Sequence, residues 1–99
     1  MREITCSTIT DAIKKMCIEA ATILPQDVEK ALSQKHDEED SALAQKTLQV
    51  LMDNAKLAQE KQMPICQDTG MAFVYVTMGQ EVHITGGSLN EAIQEGVRQ

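Results

Sequence analysis

The chain has very few aromatic residues: one Phe, one Tyr and no Trp among 99 residues. Platforms on which nucleic-acid bases stack are therefore not expected. The core must be built from Leu, Ile, Val, Ala and Met. Positive charge is also scarce, with 9 Lys and Arg against 15 Asp and Glu and a net charge of −6. Nucleic acids and anionic membrane surfaces both select for basic proteins, so neither is expected as a partner. Long apolar runs are missing. The longest, Met71-Ala72-Phe73-Val74-Tyr75-Val76, falls far short of the roughly 20 residues that a spanning helix needs. The opening Met-Arg-Glu-Ile-Thr lacks the basic-then-apolar layout of an export signal, which leaves a cytoplasmic location as the expectation. Cysteine is sparse and odd in number: Cys6, Cys17 and Cys66, with no C-x-x-C pair. That set is neither a disulfide framework nor a self-contained zinc site.

What is present is ordinary for a globular chain. Apolar residues make up 42% and charged residues 24%, too apolar for a disordered segment. The length fits one small domain with a single core. The acidic run His36-Asp37-Glu38-Glu39-Asp40 reads as a solvated loop or helix end.

Three helices are expected in the first two thirds. Ile9, Ala12 or Ile13, Met16, Cys17 and Ala20 recur at three- and four-residue spacing, which predicts a helix from about Thr8 to Ile23 with Cys17 as a small inward-facing thiol. A second should open at Leu24-Pro25, with Pro25 at the first helical position, Asp27 and Glu29 near the positive end of the dipole, and an end near His36. The third, capped by Asp40 or Ser41, carries Ala44, Leu48, Leu51, Ala55 and Ala58 on one face and runs to about Lys61. Pro64 forbids its continuation.

After Gly70 the period changes to two. Ala72, Val74, Val76 and Met78 alternate with Phe73, Tyr75 and Thr77, predicting a strand covered on both faces. Gly79-Gln80 suits a hairpin turn, which would return Glu81–Thr85 antiparallel, with His83 opposite Val76. Ser88 and Glu91 form a capping-box signature ahead of a last helix carrying Leu89, Ala92, Ile93 and Val97. The fold class expected is thus α+β: three N-terminal helices, a β-hairpin and a C-terminal helix. A two-stranded hairpin leaves sheet edges unsatisfied. The chain also ends at Val97-Arg98-Gln99 without a cap or return strand. Residues 1–99 therefore read as one piece of a larger α/β domain, whose exposed apolar surface should drive self-association into a homo-oligomer.

The chemistry concentrates in PICQDTG, residues 64–70. Pro64 ends the helix, Ile65 can anchor into the core, and Gly70 permits a turn of positive φ. Cys66, Gln67, Asp68 and Thr69 between them offer a thiol, an amide, a carboxylate and a hydroxyl. Such a loop can hold a metal through the thiolate and a small polar ligand through its neighbours. The plain alternative is a helix-to-strand turn in which Asp68 and Thr69 bond local backbone and Cys66 is inert.

Pro-Ile-CQDTG follows CIEAATILPQDVEKAL and precedes HITGGSLNEAIQEGVR. In that order the three stretches resemble the class I fumarase and L-tartrate dehydratase family, iron–sulfur hydro-lyases, over the N-terminal part of the α subunit. The resemblance implies reversible addition or removal of water across a small dicarboxylate such as malate/fumarate. It also implies a [4Fe–4S] cluster held by three cysteines with one open iron. Carried onto this chain, it makes Cys66 a cluster ligand and places Gln67 and Asp68 against the substrate. Asp68 would also orient water at the reacting centre, without being the proton-abstracting base, while Thr69 and Gly70 shape the loop. Neither Cys6 nor Cys17 sits in a ligand motif. The remaining ligands, arginines and base are implied to lie in the rest of the α subunit, in a β subunit or in a fused second half. This chain alone is then expected to be inactive and not to retain the cluster. A different class of function, a non-catalytic protein-interaction module using its open sheet edge, would be favoured by a buried, inert Cys66.

Overall fold

A computed structural model describes residues 2–68 and 70–99. The element order is β1 (Arg2–Thr5), α1 (Cys6–Thr22), α2 (Gln26–Glu38), α3 (Ala42–Lys61), β2 (Val82–Thr85) and α4 (Leu89–Arg98). The mixed class and the four helices match expectation. Thr69, expected to help shape the 64–70 loop, lies outside the described residues.

The β-hairpin does not form. The sheet has two strands, β1 and β2, and they run parallel, with Arg2 opposite Val82, Glu3 opposite His83, Ile4 opposite Ile84 and Thr5 opposite Thr85. His83 thus faces Glu3 in the register rather than Val76. The expected strand at 71–78 carries no ladder, and Met71, Phe73 and Tyr75 are 81%, 73% and 91% exposed instead of covered on both faces. The turn near Gly79 does exist: Val82 N–H donates to Gly79 O at 3.2 Å. That makes Gln80 and Glu81 its central residues, and it leads into β2 from a segment with no strand partner.

The chain forms two compact units. One takes the residues up to Ile18 together with those from Gly70 onward; the other begins at Glu19. In the first unit each strand runs straight into a helix. Thr5 ends β1 and also caps α1, its Oγ1 accepting Thr8 N–H at 3.3 Å, which is why α1 begins at Cys6 and not at Thr8. Ser88 caps α4 by accepting Glu91 N–H at 3.4 Å, as the Ser-x-x-Glu spacing predicts. Thr10 Oγ1 donates to Ala92 O at 2.9 Å, tying α1 to α4. Ile4, Ile9, Ile13, Val76, Ile84 and Ile93 line an open apolar groove on this unit.

In the second unit α2 packs on α3. Pro25 is the residue before α2 rather than its first helical residue, and its C=O accepts Glu29 N–H at 3.0 Å. Ser41 caps α3, accepting Ala44 N–H at 3.3 Å, and Gln45 Nε2 donates to His36 O at 3.1 Å across the connection. His36 Nδ1 lies 3.2 Å from Asp37 Oδ1. Among the described residues, the buried apolar side chains are Ile13, Ala58 and Ala92.

Candidate functional site

The segment carrying Cys66 is set by how α3 stops. Gln62 takes a left-handed conformation, φ 54°, a common way to end a helix and one that an unbranched residue tolerates at some cost. The N–H groups of Gln62 and Met63 both point to Ala58 O. Pro64 follows. Ile65 is then bonded to a helix on each side: its N–H donates to Ala21 O near the end of α1 at 2.9 Å. Its own C=O accepts from Asn54 Nδ2 on α3 at 2.8 Å. Ile65 is half-buried, as expected of an anchor, while Cys66, Gln67 and Asp68 are exposed. Cys66 Sγ lies 3.7 Å from Asp68 O, a weak thiol donation across two residues. Gly70 has φ 59°, the positive value expected of it.

The three expected site residues are therefore consecutive on one exposed turn, with the thiol open to a ligand. Cys6 and Cys17 are both half-buried. Cys6 opens α1, with its Sγ 3.8 Å from Ser88 O, so its environment is the Gly86-Gly87-Ser88 turn. Among the described residues no group of three or more His, Cys, Asp and Glu side chains stands together to hold a metal. Among the described residues, a thiol donor open to a metal stands at Cys66, which would fit one corner of an iron–sulfur cluster.

Asn54 was not legible as part of this site. An Asn in the interior of a 20-residue helix carries no motif, and its contact partner is a backbone carbonyl 11 positions away. No sequence pattern encodes such a contact.

Comparison with known proteins gives this turn its context. The family model for fumarate hydratase (Fumerase) matches residues 10–99. The chain belongs to that family. A putative L(+)-tartrate dehydratase subunit alpha of Methanocaldococcus jannaschii is 36% identical over 92 residues, covering 92% of this chain and 32% of that protein. A putative fumarate hydratase class I of Geobacillus stearothermophilus is 31% identical, over 90% of this chain and 17% of its own length. The L(+)-tartrate dehydratase subunit alpha of Escherichia coli is 28% identical, over 88% and 30%. The chain thus spans about a third of these α-subunit relatives, or less of the class I enzyme. Among the described residues, no helix of this fumarate hydratase family member is long and apolar enough to cross a membrane.

Proposed function

We propose that this chain is the N-terminal part of the α subunit of a cytoplasmic hydro-lyase that adds or removes water across a small dicarboxylate, with Cys66 as its one ligand to a [4Fe–4S] cluster. The observation that carries the reading is the family match over residues 10–99 together with an exposed thiol on a turn anchored to two helices. A buried, inert Cys66 would have favoured an interaction module; the thiol is exposed.

When bound, the cluster would supply an open iron acting as a Lewis acid toward the substrate hydroxyl and carboxylate. The roles of this chain's own residues follow from their donor chemistry. Gln67 presents an amide whose N–H groups can donate to a substrate carboxylate, fixing its orientation. Asp68 presents an acceptor for the substrate hydroxyl or for the water that is added. The base that takes the proton from the adjacent carbon, the other two cysteines and the cationic groups that neutralise the dicarboxylate belong, in this reading, to the remainder of the α subunit and to a β subunit or fused second half. The 99-residue chain alone is then inactive.

The test has two arms. In the α subunit assembled with its partner, Cys66→Ser should abolish the visible cluster absorbance and the hydration of fumarate or dehydration of tartrate. Gln67→Ala should retain the cluster and raise KM roughly 10- to 100-fold, and Asp68→Ala should retain it and lower kcat/KM by a similar factor, as loss of a hydrogen bond to a charged group does. Anaerobic reconstitution of the 99-residue chain with iron and sulfide should leave well under one cluster per chain. A stoichiometric cluster there would overturn the claim that the other ligands lie elsewhere.

A further inference from the structure

Ile65 is held through both of its backbone polar groups. Its N–H donates to Ala21 O at 2.9 Å, one of the last four carbonyls of α1, which the helix itself cannot satisfy. Its C=O accepts from Asn54 Nδ2 at 2.8 Å. These two bonds act on different peptide planes. The N–H belongs to the plane shared with Pro64; the C=O belongs to the plane shared with Cys66. A peptide unit is rigid from one Cα to the next, so the group that holds Ile65 O also holds the N and Cα of Cys66.

A second observation points the same way. Asn54 sits in the interior of α3 and is exposed, where Ala would favour the helix. An Asn at that position costs the helix something. What it gains is the bond to Ile65, bridging 11 positions of sequence.

We propose that Asn54 is a positioning residue for Cys66: its carboxamide fixes the Ile65–Cys66 peptide plane and so the direction in which the thiol leaves the backbone. The role toward a cluster rests on the reading of Cys66 as a ligand; the clamp itself does not.

Asn54→Asp and Asn54→Ala in the 99-residue chain test it. Asp keeps the shape but replaces the donor with an acceptor facing a carbonyl, whereas Ala removes the group and improves the helix. The first readout is amide exchange at Ile65, whose own bond to Ala21 neither substitution touches. The second is the rate at which iodoacetamide alkylates Cys66, with Cys17 as internal reference. Without the Asn54 bond the local opening that frees Ile65 N–H costs less, so both variants should raise Ile65 exchange about fivefold, the factor that one ordinary hydrogen bond contributes. Cys66 alkylation should rise by a similar factor, because the contact of Sγ with Asp68 O depends on the same turn, while Cys17 stays unchanged. If both readouts remain within about twofold of the parent in both variants, the proposal is overturned. It is equally overturned if Cys17 alkylation rises in step, since Asn54 would then support the fold at large. No cluster enters these measurements, so the clamp and the ligand assignment of Cys66 can fail separately.

Discussion

Gly96 of α4 lies so close to Ile13 of α1 that a Cβ built on it would stand 2.6 Å from Ile13 Cβ and 2.8 Å from Thr10 O. One of those neighbours is backbone and the other is the branched carbon of a buried side chain, so neither can rotate away. Gly96→Ala should destabilise the chain by ~1–3 kcal/mol from overpacking, even though Ala is the better helix former by about 1 kcal/mol. Urea denaturation monitored by circular dichroism measures this. Gly79→Ala is the control, because its Cβ would meet nothing nearer than Val82 Cγ2 at 3.8 Å, and it should change stability by less than about 0.5 kcal/mol.

Ser41 gives a second handle. Its Oγ accepts Ala44 N–H at the start of α3, and Ala has no such acceptor. Ser41→Ala should cost ~1 kcal/mol and lower Tm by about 4–8 °C, and Ser41→Asp should restore most of it. Thermal melts of the three proteins decide the matter.

Acid should loosen the end of α4. Arg98 donates from Nε to Glu95 Oε2 at 2.8 Å and from Nη2 to Oε1, which also accepts from Gln99 Nε2. The Arg98 hydrogen bonds, then that of Gln99, hold the Glu95 carboxyl down to about 2, against an ordinary 4.5. A depressed carboxyl stabilises the folded form fully above about pH 4.5, and that contribution fades as pH falls toward 2. The Glu95 side-chain resonance should titrate with a midpoint near 2 and move back toward the ordinary range in Arg98→Ala. The pair is exposed, so added salt should shrink the difference.

The stretch after Gly70 should govern self-association. Phe73 and Tyr75 are exposed large apolar groups in a segment without strand partners. If copies of the chain meet there, Phe73→Ser with Tyr75→Ser should raise the apparent dimer dissociation constant by at least ~10-fold, given about 1.5–3 kcal/mol for each buried aromatic. Sedimentation across a concentration series reads this directly. An unchanged constant would place any self-contact elsewhere.

The same stretch shows where sequence reasoning reaches its limit. Periodicity identified the helices because each one's stripe and caps are local: Ser41, Pro64, Ser88 and Glu91 mark boundaries that the structure keeps within a few residues. It failed on the sheet. Arg-Glu-Ile-Thr is too short and polar to announce a strand, yet it pairs with Val-His-Ile-Thr. The strongly alternating Met71–Met78, which has the better strand pattern, finds no ladder. Alternation reports a preference for pleated backbone; only a neighbour supplies the hydrogen bonds that make a strand. The exposed turn that carries Cys66, Gln67 and Asp68 was legible from Pro64 and Gly70 at its ends, while the roles given to those three residues come from the resemblance alone. The carboxamide of Asn54 was not legible, because its partner is a backbone atom and backbone atoms leave no signature in sequence.

The pairing of β1 with β2 also has a consequence in time. Residues at the two ends meet across the whole chain, as in the Thr10–Ala92 bond that spans 82 positions. On a ribosome adding about 5–20 residues per second, β1 is made roughly 4 to 16 seconds before its partner strand. Helices α2 and α3 need no such delay, since their contacts are local. During synthesis, then, the Cys66 turn can be built against Ala21 and Asn54 while Arg2–Thr5 is still an unpaired strand edge, open to any chaperone that recognises one.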